Sequence, residues 1–191
     1  MSEPNWPDRQ QAWAILNQYT KSPGLIKHAL AVEAVMRALA DQHHDDVQLF
    51  GLVGLLHDFD YEQYPEIGQH TIEGGKILRQ AGFPEVIVDA IQSHVTENQI
   101  PRDTYVKRAI FASDELTGFI VAVTLVRPTK SLGEVSARSV MKKLKDKGFA
   151  RGVNRDEVYE GVAGLNIDLE NFIAFIVSAL TPQAQNLDLN P

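Results

Sequence analysis

Apolar side chains recur along almost the whole chain at three- and four-residue spacing, and no stretch alternates apolar and polar residues between hairpin turns. This periodicity predicts helices throughout and no sheet, so the expected fold is all-α, a compact single-domain bundle of about seven to nine helices. A first helix is expected from about Asp8 to Tyr19, with Trp13 and Leu16 on one side. Pro23-Gly24 opens a second, in which Leu25, His28, Val32 and Val35 form the inward stripe. The third starts near Asp45, read as its N-cap, and carries the apolar run Leu52 to Leu56 up to His57-Asp58; Phe59-Asp60-Tyr61 then begins a loop closed by Pro65. A fourth spans about Glu66 to Ala81, with Gly82 as its stop. Pro84 starts a fifth, in which Ile87, Ala90, Ile91 and His94 share a face. The sixth and longest runs from about Asp103 to Val126 and is ended by Pro128; Ile110, Asp114, Thr117 and Val121 lie on one of its stripes. A basic helix follows from roughly Glu134 to Lys147, and the chain closes with one near Asp168 to Leu180. The domain is expected to cover residues 1–181, and Pro182 to Pro191 to be frayed.

Composition narrows the chemistry. With 191 residues and 44% hydrophobic content the chain can bury a core without covalent staples, and it has no cysteine. Thiolate metal sites and cysteine nucleophiles are excluded, so any metal must be held by nitrogen and oxygen. The first residues lack a charged lead followed by an apolar run, and no apolar run approaches the roughly 20 residues that span a bilayer. A soluble, cytoplasmic protein with no membrane association is expected. The net charge of −7 argues against general nucleic-acid binding. The positive charge is nonetheless concentrated: Arg127, Lys130, Arg138, Lys142, Lys143, Lys145, Lys147, Arg151 and Arg155 make up half of all 18 basic residues.

Four of the six histidines fall at the inward positions of these elements, and the other two, His43 and His44, fall in a polar stretch read as a loop. A lone histidine on an apolar face is more often a hydrogen-bonded core residue than a ligand. Asp114 changes the balance. A carboxylate in the middle of an apolar stripe is expensive to bury unless a cation meets it. His28, His57-Asp58, His70, His94 and Asp114 come from consecutive helices, which is how a bundle builds a metal site in its core. Adjacent residues diverge by about 100° on a helix, so His57 and Asp58 can serve one site only where the backbone leaves the helix, as it is expected to do here.

This pattern resembles the HD-domain superfamily of metal-dependent phosphohydrolases: a histidine, a His-Asp pair and a distant aspartate, here His28, His57-Asp58 and Asp114. A subset of that superfamily adds two histidines between the pair and the last aspartate and holds two metals, and His70 and His94 match those places. The segments Leu55 to Glu62, Ala112 to Ile120 and Lys142 to Arg151 are similar to a small stand-alone group of predicted HD hydrolases. The resemblance implies one or two divalent transition-metal ions (Mn, Fe, Zn, Co or Ni), with His28, His57 and Asp114 at one, His70 and His94 at the other, and Asp58 bridging as the central catalytic carboxylate.

A small phosphorylated substrate also needs cationic contacts. Arg127 and Lys130, just past the helix bearing Asp114, and Lys147 and Arg151, flanking a turn at Gly148, are the candidates, although such charge runs are commonly solvated faces. Asp60 and Glu62 are candidates for orienting a ligand or for supplying an acid to the leaving group. The expected function is hydrolysis of a phosphoester of a small metabolite or nucleotide by metal-activated water. The alternatives are an HD-fold di-iron oxygenase on the same ligands, or a non-catalytic metal-stabilised sensor or binding domain. Oligomeric state is not readable.

Overall fold

The computed structural model describes residues 6–191. Among these residues there are nine α-helices and no strand: α1 (Arg9–Tyr19), α2 (Pro23–His43), α3 (Val47–Leu56), α4 (Ile72–Gln80), α5 (Glu85–Gln92), α6 (Tyr105–Leu125), α7 (Ala137–Leu144), α8 (Arg155–Leu165) and α9 (Leu169–Leu180), with short 3-10 turns at Thr96–Asn98, Leu132–Glu134 and Thr181–Leu187. No single helix among them is long and apolar enough to cross a membrane.

Two helices of 21 residues, α2 and α6, form the frame, each about 30 Å long at 1.5 Å per residue. They lie against each other, with α3 packed on α2 and α8 on α6. α3 is the centre of the core: every residue from Leu49 to Leu56 is buried. It approaches α2 closely at Gly54, where a Cβ would stand 2.9 Å from the Glu33 Cα and 3.0 Å from the Val32 carbonyl oxygen. Phe50, Phe59, Phe119 and Phe172 are fully buried, each contributing about 2–3 kcal/mol of transfer free energy. Glu33, also buried, is paired with Arg9 at 2.7 Å and Arg37 at 2.9 Å, which ties α1 to α2 without leaving an isolated charge.

Several boundaries differ from the sequence expectation, each for a local reason. The N-cap of α3 is Asp46 rather than Asp45, because Asp46 Oδ1 accepts from the backbone N–H groups of Gln48 and Leu49, both at 2.9 Å. His43 belongs to the last turn of α2, where its ring stacks on Tyr105 at 3.8 Å, and His44 is the left-handed cap. α4 begins at Ile72 rather than near Glu66, since residues before it fold into turns that end at Thr71 with φ of +62°. α8 falls in a stretch to which periodicity assigned no helix; Gly161 and Gly164 dilute its pattern, and Gly161 is where α8 meets α6, a Cβ there lying 2.6 Å from the Ala112 Cα.

The closing residues, expected to be frayed, are instead packed. Leu187 and Leu189 are 3% exposed. The backbone beside them pairs with the segment after α6: Leu132 N donates to Asn190 O and Asn190 N to Lys130 O, each at 2.8 Å. Two isolated leucines carry no periodicity, so their burial is a tertiary event that a local pattern does not announce.

Candidate metal centre

The ligand types come together from the two long helices and from the ends of three short ones. His28 projects from the first turns of α2 and Asp114 from the middle of α6. His57 is the C-cap of α3, and Asp58 follows in the turn. His70 stands in the turns before α4, and His94 lies two residues past α5. Only His28 and Asp114 therefore sit inside helices. The other four occupy positions where the backbone is free to leave helical geometry.

Asp58 is the hub. Its Oδ1 lies 3.1 Å from His70 Nε2 and 3.3 Å from His94 Nε2, and its Oδ2 lies 3.6 Å from His57 Nε2 and 4.0 Å from His28 Nε2. Asp114 Oδ1 lies 2.9 Å from His28 Nε2 and 3.3 Å from His57 Nε2. The six side chains thus form two groups that could each hold a metal ion: His28, His57, Asp58 and Asp114, and Asp58, His70 and His94, with Asp58 in both.

The imidazoles are aimed from behind. His57 Nδ1 bonds the Gly54 carbonyl at 2.8 Å, His94 Nδ1 the Ile91 carbonyl at 2.6 Å, and His70 Nδ1 the Asp60 carboxylate at 3.0 Å. Each acceptor takes the Nδ1 proton, which leaves Nε2 as the atom that faces the cluster and can give its lone pair to a metal once its own proton is displaced. The two facing nitrogens His28 Nε2 and His57 Nε2, 3.2 Å apart, have the arrangement of two donors to one cation. Nitrogen and oxygen donors held in this way fit a divalent transition metal.

The electrostatics agree. Burial works against charge on His57, but the Asp58 and Asp114 carboxylates outweigh it and push the ring up to about 9. His70 is likewise opposed by burial and pushed up to about 10 by hydrogen bonds to Asp58 and Asp60. Burial would raise Asp58 and Asp114, yet His57 first, then the hydrogen-bonded imidazoles, hold both well below the usual carboxylate range. Without a metal the cluster recruits protons as its cations.

Asp60 is fully buried and accepts three hydrogen bonds, from His70, from Thr71 N at 2.8 Å and from Gly74 N at 2.9 Å. Gly74 leaves room for it, since a Cβ there would come within 2.6 Å of Asp60 Oδ2. This carboxylate both aims His70 and holds the strained Thr71 that starts α4, so strain is stored beside the cluster. Glu62 is placed elsewhere: it accepts from Lys21 N at 2.7 Å and Ser22 N at 2.9 Å, clipping the turn between α1 and α2.

A cavity of about 650 Å³ opens over the cluster, with His28, Asp58, His70, His94 and Asp114 at its floor. Tyr61, Thr96, Glu97, Glu115, Asn154 and Glu157 are among its walls. None of the four cations expected at the substrate lines it. From Asp114 to Arg127 the chain climbs α6 by about 20 Å, which carries Arg127 and Lys130 away from the floor. Arg127 instead lines a separate cavity of about 540 Å³ with Lys142 and Lys143 and bonds Ser139 at 2.9 Å. Lys147 and Arg151 are exposed, and it is the neighbouring Gly152, Val153 and Asn154 that reach the cavity. The cation of that segment with the largest structural part is Arg155. Its guanidinium bonds the carbonyls of Leu144, Asp146, Phe149, Ala150 and Val153, fixing the loop that forms this wall.

The sequence pattern did not single out Glu115, although its place beside Asp114 was a usable signal. Burial first, then the neighbouring Asp114, pushes its carboxyl up to about 7. Glu97 and Glu157 carried no such signal, because they reach the cavity only through the docking of the Thr96–Asn98 turn and of α8.

A family model for the HD domain matches residues 25–118, the span that holds all six ligand-type residues. This chain belongs to the HD-domain superfamily. Across 95% of its length it also superposes on the whole of a crystallised HD domain from the L. monocytogenes phosphodiesterase PgpH, with a TM-score of 0.55 and 17% identity, a likeness that shows the shared fold. No curated protein matches the sequence. In this HD domain α2, α3 and α6 deliver the defining residues, while α4 and α5 bring His70 and His94 to the opposite side of Asp58.

Proposed function

We propose that this HD domain is a metal-dependent phosphohydrolase that cleaves a phosphoester of a small molecule. The observation that carries the reading is the pair of ligand groups sharing Asp58 at the floor of an open cavity. His28, His57, Asp58 and Asp114 would hold one divalent ion, and Asp58, His70 and His94 a second. Such ions lower the pKa of a water molecule and offset the charge that builds on phosphoryl oxygens. The chain's part is to keep the Nε2 atoms pointed inward through Gly54, Asp60 and Ile91, so that a metal takes the place of their protons, and to bury His57 from solvent. Asp60, with three donors on it, acts as an orienting group, and Glu115 in the cavity wall is the residue placed to hand a proton to the leaving oxygen.

PgpH, whose HD domain shares this fold, is a phosphodiesterase, an activity consistent with this chemistry. The oxygenase alternative would use the same ligands, and no feature of the geometry favours it. The test is phosphate release from an aryl phosphate by the Mn-loaded protein. Asp58→Ala and His57→Ala should lower the rate by about a thousandfold or more, in keeping with loss of metal-activated water. Metal confirmed bound, with no release from a broad panel of phosphoesters, would sink the reading; oxygen uptake by an iron-loaded sample would replace it.

A further inference from the structure

The side of α6 that presents Asp114 to the cluster continues beyond it through Gly118, Val121, Ala122 and Leu125, one helical stripe that runs about 16 Å along the axis. A helix in the frame of a bundle ordinarily turns its uncovered side polar. Here the stripe stays apolar although it is uncovered: Val121 and Ala122 are half-buried, and Leu125 is 42% exposed.

That stripe forms one wall of a second cavity, of about 380 Å³, which Leu187 from the packed C-terminal residues also lines. Lys27 on its rim is already paired with Asp188, a bond that holds those residues to α2, so the cavity offers apolar contact rather than a free charge. It adjoins the metal cavity, since His28 and Gly118 line both. At the junction the His28 ring lies against Gly118, where a Cβ would stand 3.4 Å from His28 Cε1, and a larger side chain would crowd the passage. An apolar cavity that begins at a metal ligand is placed to receive part of whatever molecule the cluster holds.

Resting on the phosphohydrolase reading, we infer that the substrate is a phosphoester of an apolar alcohol, whose organic part crosses Gly118 and lies in this second cavity against Val121, Ala122 and Leu125. The phosphoryl group sits over Asp58, and the alcohol follows α6 away from it. Specificity is then set by apolar length: each methylene that leaves water on the α6 wall strengthens binding, whereas a compact alcohol stops short of that wall.

The test uses the full chain loaded with Mn and three esters whose leaving alcohols are alike in acidity: ethyl, butyl and hexyl phosphate. The expected kcat/KM rises about twofold for each added methylene, below the roughly fourfold of full burial because the wall stays partly exposed. In Leu125→Asp, at an exposed position, the ratio of hexyl to ethyl ester should fall about fivefold, each variant serving as its own reference. Ala122→Phe, which fills the cavity with a side chain of the same apolar character, should lower that ratio as well. Calorimetric binding of hexylphosphonate against ethylphosphonate reads the same preference without turnover. Aryl phosphate cleaved while the three alkyl esters react equally overturns the inference alone. A hexyl preference that survives both variants but falls in Ile67→Asp, at the lip of the metal cavity, overturns it too. Phosphonates bound in the expected order with no ester cleaved overturns the hydrolase reading and leaves the apolar occupant of the cavity supported.

Discussion

In the cluster centred on Asp58, six side chains from both long helices and three short-helix ends are held within 4.0 Å of a neighbour, each imidazole but one anchored from behind. Between Arg127 and Arg155 a comparable density of charge is spread over exposed turns, a separate cavity and one buried-side anchor. The contrast teaches that charge density along a chain does not mark a site; what marks it is the set of hydrogen bonds behind each charged group. A ligand needs its orientation fixed by another residue. The cations of the second region are exposed, pair with neighbours in their own segment or orient the backbone.

The largest expected consequence of that contrast is a response to pH. With His57 raised to about 9 and His70 to about 10, a metal must displace protons from both rings at neutral pH. Mn affinity should therefore rise at least about tenfold per pH unit between pH 7 and 9, as measured by competition with a chelating dye. In the metal-free protein the sign for stability is the reverse. These raised histidines stabilise the fold fully below the unfolded value of about 6.5, and that contribution is lost as pH climbs through 9 to 10. The depressed Asp58 and Asp114 stabilise above the ordinary carboxylate range and lose that contribution as pH falls through it. Thermal unfolding with chelator should thus weaken from pH 6 to 9.5, and Mn should flatten the decline. Identical pH profiles with and without Mn would contradict the cluster as the metal's seat.

Asp60→Asn probes the anchors directly. It should lower metal affinity about 10- to 100-fold by loosening His70, with a smaller effect on an ion at the His28 side. Metal titration that leaves both affinities unchanged would show that His70 is aimed by something else. Next in size, Arg155→Ala should destabilise the fold by about 2 kcal/mol, since charge-assisted bonds to carbonyls are lost, while stoichiometric metal content survives. Loss of metal along with the loop would erase the distinction between the two regions. Smallest of all, Arg127→Ala, Lys130→Ala, Lys147→Ala and Arg151→Ala should each change kcat/KM on an aryl phosphate by less than about twofold, as expected of cations outside the cavity. A tenfold fall for any of them would bring the basic segment back to the substrate.

Much of the cluster was legible because its residues interrupt a strong pattern. Asp114 stands in an apolar stripe, and His28 and His94 continue the inward faces of their segments, so each is conspicuous against periodicity. His70 was legible from its place between the dyad and His94 and from the resemblance, but not its setting, because it sits in turns that the sequence reads as the start of α4. That error has a physical root: Asp60 captures Thr71 N and Gly74 N, and so withholds the first turns from a helix their composition would allow. The helix α8 and the packed C-terminal residues were invisible for another reason. Gly161 is useful only when Ala112 is beside it, and Leu187 and Leu189 are core residues only once other elements have left a groove.

Arg155 opens α8, yet its five carbonyl partners all precede it in the chain. The wall made by Gly152 to Asn154 therefore leans on α8, which packs on α6 through the close contact at Gly161. The ligand-bearing segments make none of these contacts themselves, so the metal ligands and the chamber above them rest on separate supports. A chain with α8 locally detached would hold its metal ligands in a shallow open dish, having lost the wall but not the floor.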